Sequence, residues 1–197
     1  TVHYLGLLKS VLGAVDTEKY SYGELFNEVN ARTGGISYGI EVFDDAQDTD
    51  AFRAMFAVRG KALYPEMDFM FSMIREVLTT SKLDDTKRLY EIIARVRSRA
   101  QASLASAGHS TAVLRGASYA SPMAAFQDEM AGIGYYQFIE KLEKDFEQRK
   151  EETVEELCKL MKKILRPENF MISYTGERES LETVQKLAGT VKAGLGT

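Results

Sequence analysis

The side chains best suited to metal or acid–base chemistry are scarce in this chain of 197 residues, which holds two histidines, His3 and His109, and one cysteine, Cys158. Neither histidine has a second histidine or cysteine at ligand spacing, so a zinc site built from this chain alone is not expected. No H-E-x-x-H or H-x-x-E-H helix is present to place two imidazoles and a carboxylate on one face. A G-x-S-x-G elbow is also missing, and abundant Ser and Asp make a triad meaningless without geometry. Gly34-Gly35 runs into a strand pattern and lacks both the spacing and the Lys-Ser/Thr ending of a phosphate loop. No catalytic or metal-binding residue is therefore assigned, the substrate-binding residues stay unknown, and no cofactor is expected in this segment.

Three features are weighed individually. His109 lies in "SAGHSTAVLRGA", where Gly108 ends one helix and His109 or Ser110 begins the next; a cap or packing role is the simpler reading, a substrate contact the functional one. Arg95, Arg97 and Arg99 resemble a phosphate clamp, but Arg97 points away from the other two and Glu91 can pair with Arg95 four residues on, so a solvated face is expected. Cys158, among Glu155, Glu156, Lys159, Lys162 and Lys163, falls on the apolar side of an amphipathic helix and reads as a small buried hydrophobe. A single cysteine excludes an internal disulfide.

The wider composition sets the class. A formal charge of −4, from 25 basic and 29 acidic residues, with no long Lys/Arg run, argues against nucleic acid. No apolar run approaches the roughly 20 residues that span a bilayer, and the first residues lack the order of a signal peptide, so the chain reads as soluble, without a membrane partner, and cytoplasmic if bacterial. It begins at Thr1 rather than Met, so a targeting segment upstream stays open.

The elements that must position any site follow from periodicity. Tyr4, Leu7, Leu8, Val11 and Leu12 give a first helix closed by Gly13, Asp16 and Thr17. Ser21 with Glu24 is a capping box opening a second helix that carries Leu25 and Val29 and stops at Gly34. Gly34 is assigned the left-handed position past the helix end, and Gly35 the turn into the strand. Ile36, Tyr38, Ile40 and Val42 alternate on one face, the acidic "DDAQDTD" turns the chain, and Phe52, Ala54, Phe56 and Val58 alternate again, which reads as a hairpin. Pro65 opens a helix bearing Phe69, Met73, Ile74 and Val77, and Leu89, Ile92, Ile93, Val96 and Ala100 line the next. Residues 109–134 break at Ser121-Pro122 and Gly132-Ile133-Gly134. Two helical stripes follow, Phe138, Ile139, Leu142 and Phe146, then Val154, Leu157, Cys158, Met161 and Leu165. "NFMISYTG" reads as a last strand, and Leu181, Val184, Leu187, Ala188 and Val191 as a last helix. The expected class is α+β, a small, mostly antiparallel sheet with helices on one face and a long helical insertion, in a single domain over residues 1–197.

Three stretches, "VLGAVDTEKYSYGELFNEVNARTGGIS", "SAGHSTAVLRGASYASPMAAFQDEMAGIGYYQFIEKL" and "RPENFMISYTGE", together resemble the presequence-protease branch of the pitrilysin/insulinase metallopeptidases, specifically the associated domain of its C-terminal half. The resemblance implies a large zinc peptidase whose halves enclose a chamber for unfolded peptides. Zinc and H-x-x-E-H would lie in another domain, and this one would be a non-catalytic wall, inactive alone, with the remaining domains and peptide substrates as its partners. It also implies a strand before residue 1, so that the chain starts inside its domain and leaves a sheet edge, within 36–43 and 52–62, open to a second copy. A rival of another class is an inactive structural or interaction protein with the same fold. An H-x-x-E-H upstream in the same reading frame would separate the two.

Overall fold

In the computed structural model, which describes residues 2–48 and 50–196, the apolar stripes become helices almost one for one. In chain order the elements are α1 (Val2–Val11), α2 (Tyr22–Arg32), β1 (Ile36–Asp44), β2 (Phe52–Gly60), α3 (Met67–Thr80), α4 (Thr86–Ser106), α5 (Gly108–Ala117), α6 (Pro122–Ala131), α7 (Ile133–Lys144), α8 (Phe146–Ile164) and α9 (Leu181–Gly194). Single 3-10 turns lie at Tyr64–Glu66, Pro167–Asn169 and Arg178–Ser180. The α+β class and the antiparallel hairpin are as the patterns predict.

The described residues cluster into two compact units. The first consists of Thr1–Val11, Gly39–Ala57 and Leu83–Leu157. Within it α4 packs on α7 and α1 on α6, burying Leu7, Leu8 and Val11 of α1, Leu89, Ile92 and Ile93 of α4, and Ile139 and Leu142 of α7. Each such side chain contributes about 1.5–3 kcal/mol relative to exposure. Phe52 of β2 meets Phe126 of α6 with ring centroids 5.3 Å apart. The second unit consists of Leu12–Tyr38, Val58–Lys82 and Cys158–Thr197. Its core is built where α9 lies on α3, with Met73 and Val77 against the stripe Val184, Ala188 and Val191, and Leu25 of α2 is buried with it.

Ladder bonds at the two ends of the hairpin fix its register. Asp45 N–H donates to Ala51 at 3.1 Å and Lys61 N–H to Gly35 at 3.2 Å. Odd-numbered residues of β1 therefore turn their backbone groups toward β2, and Ile36, Tyr38, Ile40 and Val42 share one face, as their alternation predicts.

Two local expectations are corrected. Gly34 does not hold the left-handed position; Thr33 ends α2 in an extended conformation, and Gly35 takes φ +108°. The reason is a double tether: Thr33 Oγ1 donates to Val29 O at 2.7 Å while Gly34 N–H already enters the ladder on Lys61 O at 2.6 Å, so the reversal is deferred by one residue. The second correction concerns "NFMISYTG". Among the described residues the sheet has two strands, β1 and β2, and residues 170–176 run without joining it. Their β-branched and aromatic content favours an extended backbone, but a strand also needs a neighbour, and the segment pairs with neither outer edge of the hairpin.

Candidate functional site

The second unit holds an apolar groove of about 120 Å³ between α2 and the start of β1. Leu25, Phe26 and Val29 of α2 form one wall, Ile36 and Tyr38 of β1 the other, and Val77 of α3 contributes. Phe26 is 66 % exposed. The one amide in the lining is engaged locally, Asn30 Nδ2 donating to Phe26 O at 2.8 Å. Burial pushes the Tyr38 phenol above its ordinary range, so it stays neutral. The lining holds no carboxylate, histidine, cysteine or lysine, so the groove offers a seat for an apolar side chain and no means of activating water.

Local chemistry sets the two walls. The predicted capping box is formed: Ser21 Oγ accepts from Glu24 N–H at 3.3 Å and Ser21 N–H donates to Glu24 Oε2 at 2.9 Å. Asp16 Oδ1 accepts from Tyr22 N–H at 2.8 Å, fixing the entry to α2. The turn before it is tied to α3 through Glu76, only 6 % exposed, whose Oε1 accepts from Lys19 N–H at 3.0 Å and Thr80 Oγ1 at 2.9 Å. Burial alone would raise this carboxyl, but hydrogen bonds from Thr80, Lys19 N–H and Thr17, with the Lys19 charge, outweigh it and hold Glu76 below the usual carboxylate range. On the other wall Gly35 N–H donates to Thr33 Oγ1 at 3.0 Å.

The first unit has a polar centre of its own, at the junction of α6 and α7. Asp128, 1 % exposed, accepts from Arg115 Nη1 at 2.6 Å, from Ile133 N–H at 3.1 Å and from Gly134 N–H at 3.2 Å. It thus caps α7 from within α6, a role its side chain performs across the break. A Cβ on Gly132 would fall on the Asp128 carboxylate, which is why the break needs a glycine there. Sequence reasoning missed Asp128; its signal was an acidic residue in the last turn of a helix, four residues before Gly-Ile-Gly. Phe26 was missed as well, and its signal was an aromatic residue beside, rather than on, the apolar stripe of α2.

The residues weighed for chemistry are dispersed. His3 contacts the Glu129 carboxylate and stacks on Phe138 with centroids 4.6 Å apart. His109 is exposed in the first turn of α5, which starts at Gly108 with no side-chain cap, so neither the cap nor the packing role is filled. Glu91 pairs with Arg88 at 2.8 Å instead of Arg95, and Arg97 is held by Glu143 and Gln101, each at 2.7 Å. Arg95 is exposed and its guanidinium lowered from the ordinary value, first by burial and then by Arg88 and Arg99. Cys158 is half-buried rather than buried. Among the described residues no three His, Cys, Asp or Glu side chains converge into a set able to hold a metal ion. Nor, among the described residues, is any helix long and apolar enough to cross a membrane.

Comparison with known proteins adds the context. Residues 1–142 match the family model of the associated domain of peptidase family M16, subfamily C. Protein HypA of Clostridium perfringens is 31 % identical over 185 residues, which are 94 % of this chain and 19 % of that protein. The mitochondrial presequence protease of Yarrowia lipolytica is 28 % identical over 146 residues, 74 % of this chain and 15 % of that protein. Presequence protease 1 of Arabidopsis thaliana, described as chloroplastic/mitochondrial, is 23 % identical over 170 residues, 86 % of this chain and 16 % of that protein. The chain spans less than a fifth of the length of each of these relatives.

Proposed function

This chain belongs to the associated-domain family of subfamily C of the M16 peptidases, and from that premise we propose that it is a non-catalytic wall of the peptide-holding chamber of a longer zinc peptidase. One observation carries the reading: the groove between α2 and β1 is apolar and open, its lining residues include no carboxylate, histidine, cysteine or lysine, and its one phenol, Tyr38, stays neutral. Such a surface can hold the side chain of an unfolded peptide without reacting with it, and holding is what a chamber wall contributes. Zinc, a hydrolytic water and its general base belong, on this reading, to another part of the polypeptide. The other domains of that polypeptide are the partners, and unfolded peptides the substrate.

The test uses the full-length protein and an unstructured peptide. Phe26→Asp places a charge at the groove and removes an aromatic contact worth about 1–2 kcal/mol, so KM is expected to rise about tenfold while kcat stays within about twofold. An unchanged KM removes the groove from substrate binding. Peptide cleavage by the 197-residue chain alone, surviving purification and abolished by His109→Ala, overturns the wall reading itself.

A further inference from the structure

Residues 170–176 are built like a strand and left without a neighbour. Phe170, Ile172 and Tyr174 alternate with Met171, Ser173 and Thr175, the period of a pleated segment, and none of them lies in a helix or ladder. Met171 is 69 % exposed and Ile172 44 % exposed, two adjacent apolar side chains left open to water. Among the described residues, no backbone N–H or C=O from Met171 to Thr175 makes a hydrogen bond within the protein.

Both ends of the segment are nevertheless anchored. Upstream, Asn169 Nδ2 donates to Ile164 O at 3.3 Å and Phe170 N–H closes the 3-10 turn on Pro167 O at 3.3 Å. Downstream, the Tyr64 hydroxyl accepts from Glu177 N–H at 2.7 Å, and Tyr174 Oη donates to Glu177 O at 3.2 Å. The stretch is thereby tied at both ends, where Phe170 and Glu177 are themselves extended, while its ladder groups stay open. An extended apolar edge of this kind is a template for strand addition and, if never covered, an aggregation liability.

We infer that residues 170–176 form a β-strand in the full-length protein, paired with an extended segment of the same polypeptide outside these 197 residues. The relatives' length favours this occupant over a second copy: more than four-fifths of each lies beyond the matched region, and a tethered segment meets the edge at an effective concentration in the millimolar range. It also favours it over a passing peptide, because the open edge carries no charged side chain between Phe170 and Gly176 to select one. The inference rests on the chain being part of a longer polypeptide and holds whether or not the groove binds substrate.

Hydrogen exchange read by NMR or mass spectrometry tests it. In the full-length protein the amides of the 171–175 segment that enter the ladder should exchange at least about a hundredfold more slowly than in the 197-residue chain, with no peptide added. Ile172→Asp should lower the thermal midpoint of the full-length protein by several degrees and leave that of the 197-residue chain, where the side chain faces water, within about one degree. Equal exchange in the two proteins overturns the inference. Protection that grows with concentration of the 197-residue chain assigns the edge to a second copy, and protection of the full-length protein only on adding an unfolded peptide assigns it to substrate; either result also overturns it.

Discussion

Replacing Asp128 with alanine should destabilise the helical unit far more than an ordinary helix substitution. The carboxylate holds three donors, Arg115 Nη1 at 2.6 Å, Ile133 N–H at 3.1 Å and Gly134 N–H at 3.2 Å. Removing it strands the two amides at the start of α7, and a buried donor left without a partner costs about 1–3 kcal/mol. Arg115, with 36 % of its side chain exposed, can turn to water, so the lost ion pair adds little. The expected loss is about 3 kcal/mol, which at a urea slope of about 2 kcal/mol per molar moves the midpoint by about 1.5 M. Asp128→Asn keeps one acceptor over the same amides and should cost about half as much. Arg115→Ala leaves both amides bound and should cost least of the three. Urea titration followed by far-ultraviolet circular dichroism reads all three variants. If Asp128→Ala stays within about 0.5 kcal/mol of the unaltered chain, or Arg115→Ala proves the most damaging, the carboxylate is not what joins α6 to α7.

Glu76 and Gly35 give two further expectations. Because Glu76 is held below the usual carboxylate range in the folded chain, its stabilisation is present above the unfolded value and is lost as pH falls through the folded one. Glu76→Gln should therefore melt several degrees lower than the unaltered chain at pH 7, with the gap closing toward pH 3; a gap that persists in acid would mean the charge is irrelevant. Gly35→Ala, at φ +108°, should cost about 1–3 kcal/mol, whereas Gly23→Ala, inside α2 with open space around it, should stabilise by about 0.5–1 kcal/mol; equal effects would remove the backbone argument at the junction.

What could be read in the sequence is what is decided locally. The α1 stripe, the Ser21–Glu24 box and the hairpin alternation each depend on residues within a turn or two, and each forms as predicted. The failures share a different origin. Whether Glu91 turns to Arg88, three residues back, or to Arg95, four residues on, is a choice between two partners within reach on one helix, settled by side-chain geometry that spacing does not contain. Asp128 meets Arg115 across 13 residues and a helix break, so its partner is set by how α5 and α6 pack. The groove needs α2, β1 and α3 together, and no window of sequence holds all three. The segment 170–176 shows the limit most clearly. Its residues favour an extended backbone, but pairing is a property of two segments, and among the described residues no strand lies beside it.

The same distinction explains why the family was recognisable while the chemistry was not. Within the first two resembling stretches the residues with identifiable work are Ser21 and Glu24 at a cap, Thr33 and Gly35 at a helix-to-strand reversal, and Arg115, Asp128 and Gly132 at the α6–α7 break. All but Arg115, which pairs with the Asp128 carboxylate, fix backbone direction. His109, the one histidine in those stretches, stands exposed in the first turn of α5. A segment known by residues that set its shape is recognised by its fold, and on the proposed reading a shaped, unreactive surface is what it supplies to a chamber.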